Sequence, residues 1–279
     1  MLIQPRIKDL QGELYSFKSN KSLLLDDRQT FWVVQSGSLA IFAIPVEHGT
    51  PVGKRRYLFR MNAFEAMFST IPDSQGQQQQ ILAVSLEETT LLKVSRETFG
   101  KAIANNNPEA IALVEGWIHQ LGLTLSDIAL PIVPAQPEGI NYFSLAPGEI
   151  FQSRQDKVSW VRIQQGCATW MGLPEFRLTS AFGMMPLSAK MWVKAEDTIE
   201  LESLRTSEIQ NEDALLDGLS LLQTYVLQYI DKLERQDMQQ EFLRFQERQR
   251  LDHQVVEETL GELASVLQSP QAALSSQLP

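Results

Sequence analysis

The stretch FWVVQSGSLAIFAIP, Phe31 to Pro45, sets two apolar runs on either side of a Ser-Gly turn, the pattern of a β-hairpin. The pattern returns at VSWVRIQQGCATWMG, Val158 to Gly172, again with Trp-Val a few residues ahead of a glycine. Further pairs follow in the same order. RYLFRMNAFEAMF aligns with EFRLTSAFGMM, with Phe64 near Phe182, and VSLEETTLLKV aligns with VKAEDTIELESL, with Glu87-Glu88-Thr89 on Glu196-Asp197-Thr198. Four matches in one order make a diverged duplication, the second copy shortened in two loops. Trp32 and Trp160 then belong at matching core positions, and Gly37 and Gly166 turn the two hairpins.

Between Leu14 and Val94 short apolar runs alternate with turn signals, so many short strands are expected. SLLLDD, TFWVVQSG, SLAIFAIP, RRYLFRM and ILAVSLEETTLLKVS supply them, and PDSQGQQQQ, Pro72 to Gln80, reads as an exposed loop. Helical periodicity begins at Arg96, with Ser95 as N-cap, and continues through Ile111, Val114, Trp117, Ile118, Leu121 and Leu125. LPIVPAQPEG ends it. A second strand-rich stretch runs from Asn141 to Leu204. Beyond it Leu215, Leu219, Leu222, Val226, Ile230 and Leu233 form one apolar stripe, which resumes after ERQDMQQE with Leu251, Val255, Leu260, Leu263 and Leu267. The polar gap predicts either two helices or one helix with a wet middle.

The formal net charge of −10 works against sequence-independent nucleic-acid binding, which needs a field of Lys and Arg. Residues 211–279 carry 5 basic and 12 acidic side chains, so the tail holds most of that charge and suits an anionic lipid surface least. Cys167 is the sole cysteine, which rules out an intrachain disulfide and fits a reducing compartment; in a strand it packs as a small hydrophobe. No secretory signal pattern and no apolar run of bilayer length is visible, so a cytoplasmic protein is expected. His48, His119 and His253 are dispersed, without a His-x-His pair, and no metal site or cofactor is expected. Neither a Gly-x-Ser-x-Gly elbow nor His-Glu-x-x-His nor Cys-x-x-Cys occurs, so no catalytic residue is assigned and an enzyme is not expected. The paired carboxylates Glu87-Glu88 and Glu196-Asp197 fall in predicted turns, where solvated charge is the ordinary explanation.

FSLAPGEIFQSRQDKVSWVRIQQGCATWMG resembles the cyclic-nucleotide-binding domain, with Gly148-Glu149 and Gly166 at that family's Gly-Glu turn and hairpin glycine. The resemblance implies a mainly β chain: two tandem cyclic-nucleotide-binding-like β-rolls of jelly-roll type, then a long helical segment. On that basis residues 1–130 form the first roll with trailing helices and 131–140 a Pro-rich linker. Residues 141–210 form the second, shorter roll, 211–268 a helical, coiled-coil-like segment and 269–279 a flexible tail. The family's phosphate cassette reads roughly Phe-Gly-Glu-x-Ala-Leu followed by Pro-Arg-x-Ala. Both copies depart from it. In AFGMMPLSAKMWVKA, Phe182-Gly183 stand, but Met184 takes the Glu position and Ala189 the Arg position, with Lys190 beside it. Lys is a point charge and cannot make the forked pair of a guanidinium. The first copy has no Gly-Glu pair and a glutamine run where Arg belongs. Tight binding of cAMP or cGMP is therefore not expected; Phe182, Gly183 and Lys190 are the ligand-binding candidates in the alternative of a sensor that takes a cyclic nucleotide or other small anion in the second roll.

FWVVQSGSLAIFAI, RRYLFRM, ILAVSLEETTLLKV, ALVEGWI and LDHQVVEETLGELASVL together are similar to another region. It is the N-terminal cytoplasmic part of bacterial ABC exporters of nitrile-hydratase-like-leader-peptide (NHLM/NHLP-type) bacteriocin clusters, which fuse permease and ATPase. That resemblance implies a non-enzymatic regulatory or docking region at the inner face of the membrane. Its partners would be the exporter's membrane and ATPase domains and the leader peptide of the cargo, with a homodimer through the C-terminal helices. No phosphate loop, ABC signature or membrane span is present in these residues. The basic cluster GKRRYLFR offers Lys54, Arg55, Arg56 and Arg60 as contacts for an acidic partner, against the plainer reading of an edge strand blunted by charge.

Overall fold

The computed structural model describes residues 10–69, 78–125, 128–132, 141–154, 157–209 and 211–268. Two compact units divide the chain, one ending at Tyr229 and one beginning at Ile230.

The first unit is mainly β. Its first set of strands comprises β1 (Glu13–Phe17), β2 (Ser22–Leu24), β3 (Thr30–Ser36), β4 (Ser38–Glu47), β5 (Thr50–Pro51), β6 (Arg56–Asn62), β7 (Ala66–Phe68), β8 (Gln78–Ser85) and β9 (Thr89–Ser95). They make one sheet in the order β1-β9-β3-β7 and a second in the order β2-β8-β4-β5, with β6 also on β4. Helices α1 (Arg96–Ala104) and α2 (Pro108–Leu123) follow. The second set comprises β10 (Tyr142–Leu145), β11 (Ile150–Gln152), β12 (Ser159–Gln165), β13 (Cys167–Trp170), β14 (Arg177–Thr179), β15 (Met185–Leu187), β16 (Trp192–Ala195) and β17 (Ile199–Leu204). These pair as β10-β17-β12-β15 and β11-β16-β13-β14, the same order strand for strand once β5 is set aside.

Local chemistry explains the hairpins. Gly37 (φ +83°) and Gly166 (φ +85°) turn β3 into β4 and β12 into β13 in the left-handed region, where L side chains are strained. A Cβ on Gly37 would stand 2.7 Å from the Glu88 carbonyl oxygen, and on Gly166 2.6 Å from that of Thr198. Trp32 and Trp160 hold equivalent ladder positions, opposite Met67 and Pro186. Their surroundings differ: Trp32 packs edge-on against Tyr15 and Phe17, whereas Trp160 is fully buried.

Two expectations are corrected. The glutamine run is not all loop: Gln78–Gln80 extend β8, pairing with Val46, Pro45 and Ile44, and Gln80 is buried. Residues 72–77 of that stretch lie outside the described residues, as do 133–140 of the Pro-rich linker and the tail 269–279. The alignment of the copies shifts by one at two places. Ala66 and Met185 both pair with the Val of Trp-Val, so Phe64 matches Gly183 rather than Phe182. Thr89 pairs with Phe17 and Ile199 with Leu145, so Thr89 matches Ile199 rather than Thr198. Irregular register at Val34/Ser36 and Ile163/Gln165 accompanies the second shift. The turn carboxylates Glu87, Glu88, Glu196 and Asp197 are exposed, as expected, and two of them also hold the turn. Glu87 accepts a hydrogen bond from Ser38 Oγ (2.7 Å), and Asp197 accepts one from the Cys167 backbone N–H (2.7 Å). Ser38 and Cys167 each follow the hairpin glycine, so both copies brace that turn with a carboxylate.

Helix α1 begins at the expected Ser95 cap, and α2 begins at a cap, Asn107, that the reading of the sequence did not name. Ser95 Oγ accepts the Thr98 N–H, and Asn107 Oδ1 accepts the N–H groups of Glu109 and Ala110. Helix α2 buries Val114, Trp117, Ile118 and Leu121 but ends at Leu123, short of the prolines. Helix α3 is continuous from Glu212 to Gln268, so the polar gap does not break it. Within the first unit it buries Leu215, Leu219, Leu222 and Val226. It is held between the strand sets: Gln223 Nε2 donates to the Phe68 carbonyl (2.8 Å), and the Tyr225 hydroxyl donates to that of Arg177 (2.8 Å).

The second unit is the rest of α3. Phe242, Phe245, Leu251, Val255, Leu260 and Leu263 are all more than half exposed, which is unusual for so many large apolar side chains on one helix. Among the described residues no helix is long and apolar enough to cross a membrane.

Candidate functional site

The ligand candidates of the second strand set lie around one loop. Phe182 (40% exposed) and Gly183 follow β14, and Lys190 is exposed in the turn before β16. Between them Met184, Met185, Leu187 and Ser188 are buried. The burial comes from the protein's own helices, through two glycines. A Cβ on Gly122 of α2 would fall 2.3 Å from Ser188 Oγ and 3.2 Å from Met191 Cε. One on Gly218 of α3 would fall 2.4 Å from the Met184 carbonyl oxygen and 2.8 Å from the Trp160 ring. Both helices therefore lie directly on the segment that carries the candidate residues. Small residues were chosen at these points for close approach, a signal invisible until the partners are known.

A polar relay joins the same region to the first strand set. The Trp160 indole N–H donates to Thr206 Oγ1 (3.0 Å), and Thr206 donates to Glu115 Oε1 of α2 (2.7 Å). An aromatic group of Trp170, Phe176 and Tyr225, with ring centroids 4.9–5.8 Å apart, packs the second set on α3. On the other side Phe31, Phe68 and Phe99 pack the first set on α1, at 4.9–5.3 Å.

Glu202 is the most constrained carboxylate. It sits on β17 opposite Tyr142 and Arg162 and is 7% exposed. It accepts hydrogen bonds from Arg162 Nε (3.0 Å), Gln164 Nε2 (2.9 Å) and the Tyr142 hydroxyl (3.2 Å). Burial pushes its pKa up, but the guanidinium of Arg162 and the hydrogen bonds of Tyr142 and Gln164 outweigh that, holding the carboxyl below the ordinary range. Its contribution to stability is therefore whole above the unfolded carboxylate pKa of about 4.3 and is lost as pH falls through the lower folded value. Glu202→Gln is expected to lower stability by about 1–3 kcal/mol at neutral pH. The deficit should shrink in acid, as read from urea midpoints at a series of pH values; a pH-independent deficit would contradict the assignment.

The basic cluster is distributed rather than pooled. Lys54 and Arg55 are exposed ahead of β6, which among the described residues pairs with β4 alone and is an edge strand. Arg56 opens that strand and is half-buried. Arg60 is engaged within the fold, its guanidinium donating to Ser38 Oγ (2.9 Å) and lying 3.9 Å from Glu87. Cys167 is buried, as a small strand hydrophobe would be, but Arg177 Nε and Nη2 each lie 3.3 Å from its sulfur. Among the described residues no cluster of three or more His, Cys, Asp or Glu side chains is placed to hold a metal ion.

In the first strand set the turn equivalent to the candidate loop is open. Phe64 adopts φ +73°, held by its N–H to the Val34 carbonyl (2.7 Å), while the Val34 N–H donates to the Glu65 carbonyl (2.9 Å). Beside this turn a cavity of about 280 Å³ lies against α2, lined by Met61, Phe64, Ala66, Leu113, Gly116 and Trp117 among others. Sequence reading missed it, since no residue type in it signals a site.

No family model matches the chain, and no curated protein matches it. Solved structures give partial likenesses. The heme domain of CooA from Carboxydothermus hydrogenoformans is 16% identical over 43% of this chain and 75% of that one, with a TM-score of 0.30. Oxidised CprK in complex with o-chlorophenolacetic acid is 11% identical over 39% of this chain and 43% of that one, at 0.31. The catabolite activator protein of Thermus thermophilus is 21% identical over 39% of this chain and 49% of that one, at 0.29. The chain thus spans less than half the length of the latter two.

Proposed function

We propose that this chain is a non-enzymatic regulatory or docking region, built from two diverged cyclic-nucleotide-binding-like β-rolls, of the kind that precedes the membrane helices of bacteriocin-exporting ABC transporters. It acts at the inner face of the membrane through protein contacts: with the exporter's membrane and ATPase domains, with the leader peptide of the cargo, or with a second copy along α3. Nucleic acid is not among its partners. The observation that supports this reading best is the close seating of Gly122 and Gly218 on the Met184–Ser188 segment. The roll's ligand loop is spent on internal packing, as suits a scaffold that keeps its shape and has given up its nucleotide. The exposed apolar stretch of α3 gives such a scaffold a surface for helical partners.

In cells secreting a leader-dependent peptide through the assembled exporter, deleting the segment equivalent to residues 1–279 is expected to reduce export several-fold. The ATPase core should remain expressed and active. Unchanged export would overturn the proposal. The competing reading, a sensor of a small anion at Phe182, Gly183 and Lys190, draws on one observation: Gly183 has open space beside it, with Lys190 exposed in the same loop region.

A further inference from the structure

In the second unit every residue of α3 from Arg235 to Ala264 is exposed. Its large apolar side chains are not scattered there. Phe242 and Phe245, then Leu260 and Leu263, are 55–60% exposed and share one face. At 3.6 residues per turn they fall in a sector about 100° wide. A helix draws most of its stability from packing such a face, so this one calls for a cover.

The order of residues along the face says what covers it. Phe242, Phe245, Gln249 and Asp252 follow one another at spacings of 3, 4 and 3. His253, Val256, Leu260 and Leu263 repeat those spacings of 3, 4 and 3 in the same sector. The face is therefore a palindrome about the Asp252–His253 bond. Two identical copies related by a two-fold axis need this property, because each contact must form again with the roles exchanged. We propose that residues 242–263 of α3 pair with the same residues of a second copy of this chain, running antiparallel. The proposal rests on the reading of this chain as a docking region with a second copy among its partners, and it gives that partner its place and direction.

Phe242 then lies opposite Leu263 of the second copy and Phe245 opposite Leu260. Each end of a seam about 33 Å long holds two rings against two leucines. In the wet middle Gln249 meets Val256, and the Asp252 carboxylate meets an N–H of the His253 imidazole. Charge selects the direction. Residues 242–250 carry three arginines and one glutamate, whereas 251–263 carry four carboxylates and no Lys or Arg. Antiparallel pairing lays the basic half on the acidic half, with Arg248 beside the seam opposite Glu257. Parallel pairing lays each half on its like and Asp252 on Asp252.

Sedimentation equilibrium of the full chain at about 50 μM is expected to give twice the 31.6 kDa of one chain. Arg248→Glu and Glu257→Arg should each weaken the dimer about tenfold, since each sets like charges together at two symmetric points. The double exchange should restore it. Phe245→Glu should give monomers and leave the thermal transition of the strand-rich unit in place, because Phe245 is already exposed in the single chain. Spin labels on Leu243→Cys, outside the seam, should stand about 30 Å apart, against less than about 20 Å in a parallel pair. Cys167 is buried and takes no label. A chain that stays monomeric up to about 100 μM would leave the face to a different protein and overturn the proposal. So would the short label distance, a dimer that survives Phe245→Glu, or a double exchange that restores nothing. These readouts are mass and distance, so their failure leaves the export prediction standing, and unchanged export on deletion leaves the dimer standing.

Discussion

Trp160→Ala is expected to cost about 3–5 kcal/mol, the range for emptying a fully buried aromatic position. Its ring lies against Gly218 of α3, and its N–H is the first link of the relay through Thr206 to Glu115 of α2. The loss should therefore reach beyond the second strand set. Urea denaturation followed by far-UV circular dichroism and by tryptophan fluorescence should show one shared transition for the strand-rich unit, moved to lower urea as a whole. If the substitution instead split it into two transitions, with the first strand set unfolding at its original midpoint, the two sets would not be coupled through α2 and α3. Trp160→Phe keeps most of the bulk but loses the donor, and a deficit of about 1–2 kcal/mol is expected from the relay and the smaller ring.

Gly166→Ala is the second large effect, at about 2–4 kcal/mol. Two costs combine: the left-handed backbone at φ +85°, and a Cβ set 2.6 Å from the Thr198 carbonyl oxygen. Gly49→Ala separates them. Gly49 has φ +77° with nothing within 4 Å of a Cβ, so only the backbone cost of about 1–2 kcal/mol applies. The difference between the two midpoints reads the contact with the turn before β17. Equal deficits would mean that the turn gives way freely and does not brace the hairpin.

Much of the fold was legible where local chemistry decides it. The hairpin glycines announce themselves because a left-handed turn has few other solutions, and Ser95 announces a helix start because its hydroxyl can cap a free N–H group. The likeness of the two strand sets was legible as an order of motifs, and the strand pairing follows the same order in both sets. What failed was set by distance. Strand β7 is three residues long, too short for a period, and it exists because Phe31, Trp32 and Val33 pair with it. Gln78–Gln80 read as polar loop, yet the long β4 draws them into a ladder regardless of composition. The one-residue offsets accompany register shifts in the ladders, which motif matching cannot see.

The candidate loop shows the same limit more sharply. Met184 and Ala189 were legible as the wrong residues for a phosphate cassette. That α2 and α3 would lie on that loop was not, because in the sequence nothing sets Gly122 and Gly218 apart from Gly116, which is exposed and meets nothing. Likewise nothing in the word Glu-Asp distinguishes a solvated turn from one whose carboxylate holds the Cys167 N–H.

Isothermal calorimetry of the full chain against cAMP, cGMP and inorganic phosphate tests most directly whether the two strand sets are self-filled scaffolds. No saturable heat is expected from any of them at concentrations that saturate nucleotide sensors, and Lys190→Ala should change nothing. Micromolar or tighter binding of a cyclic nucleotide, weakened by Lys190→Ala, would contradict it: the second strand set would then hold a working ligand site.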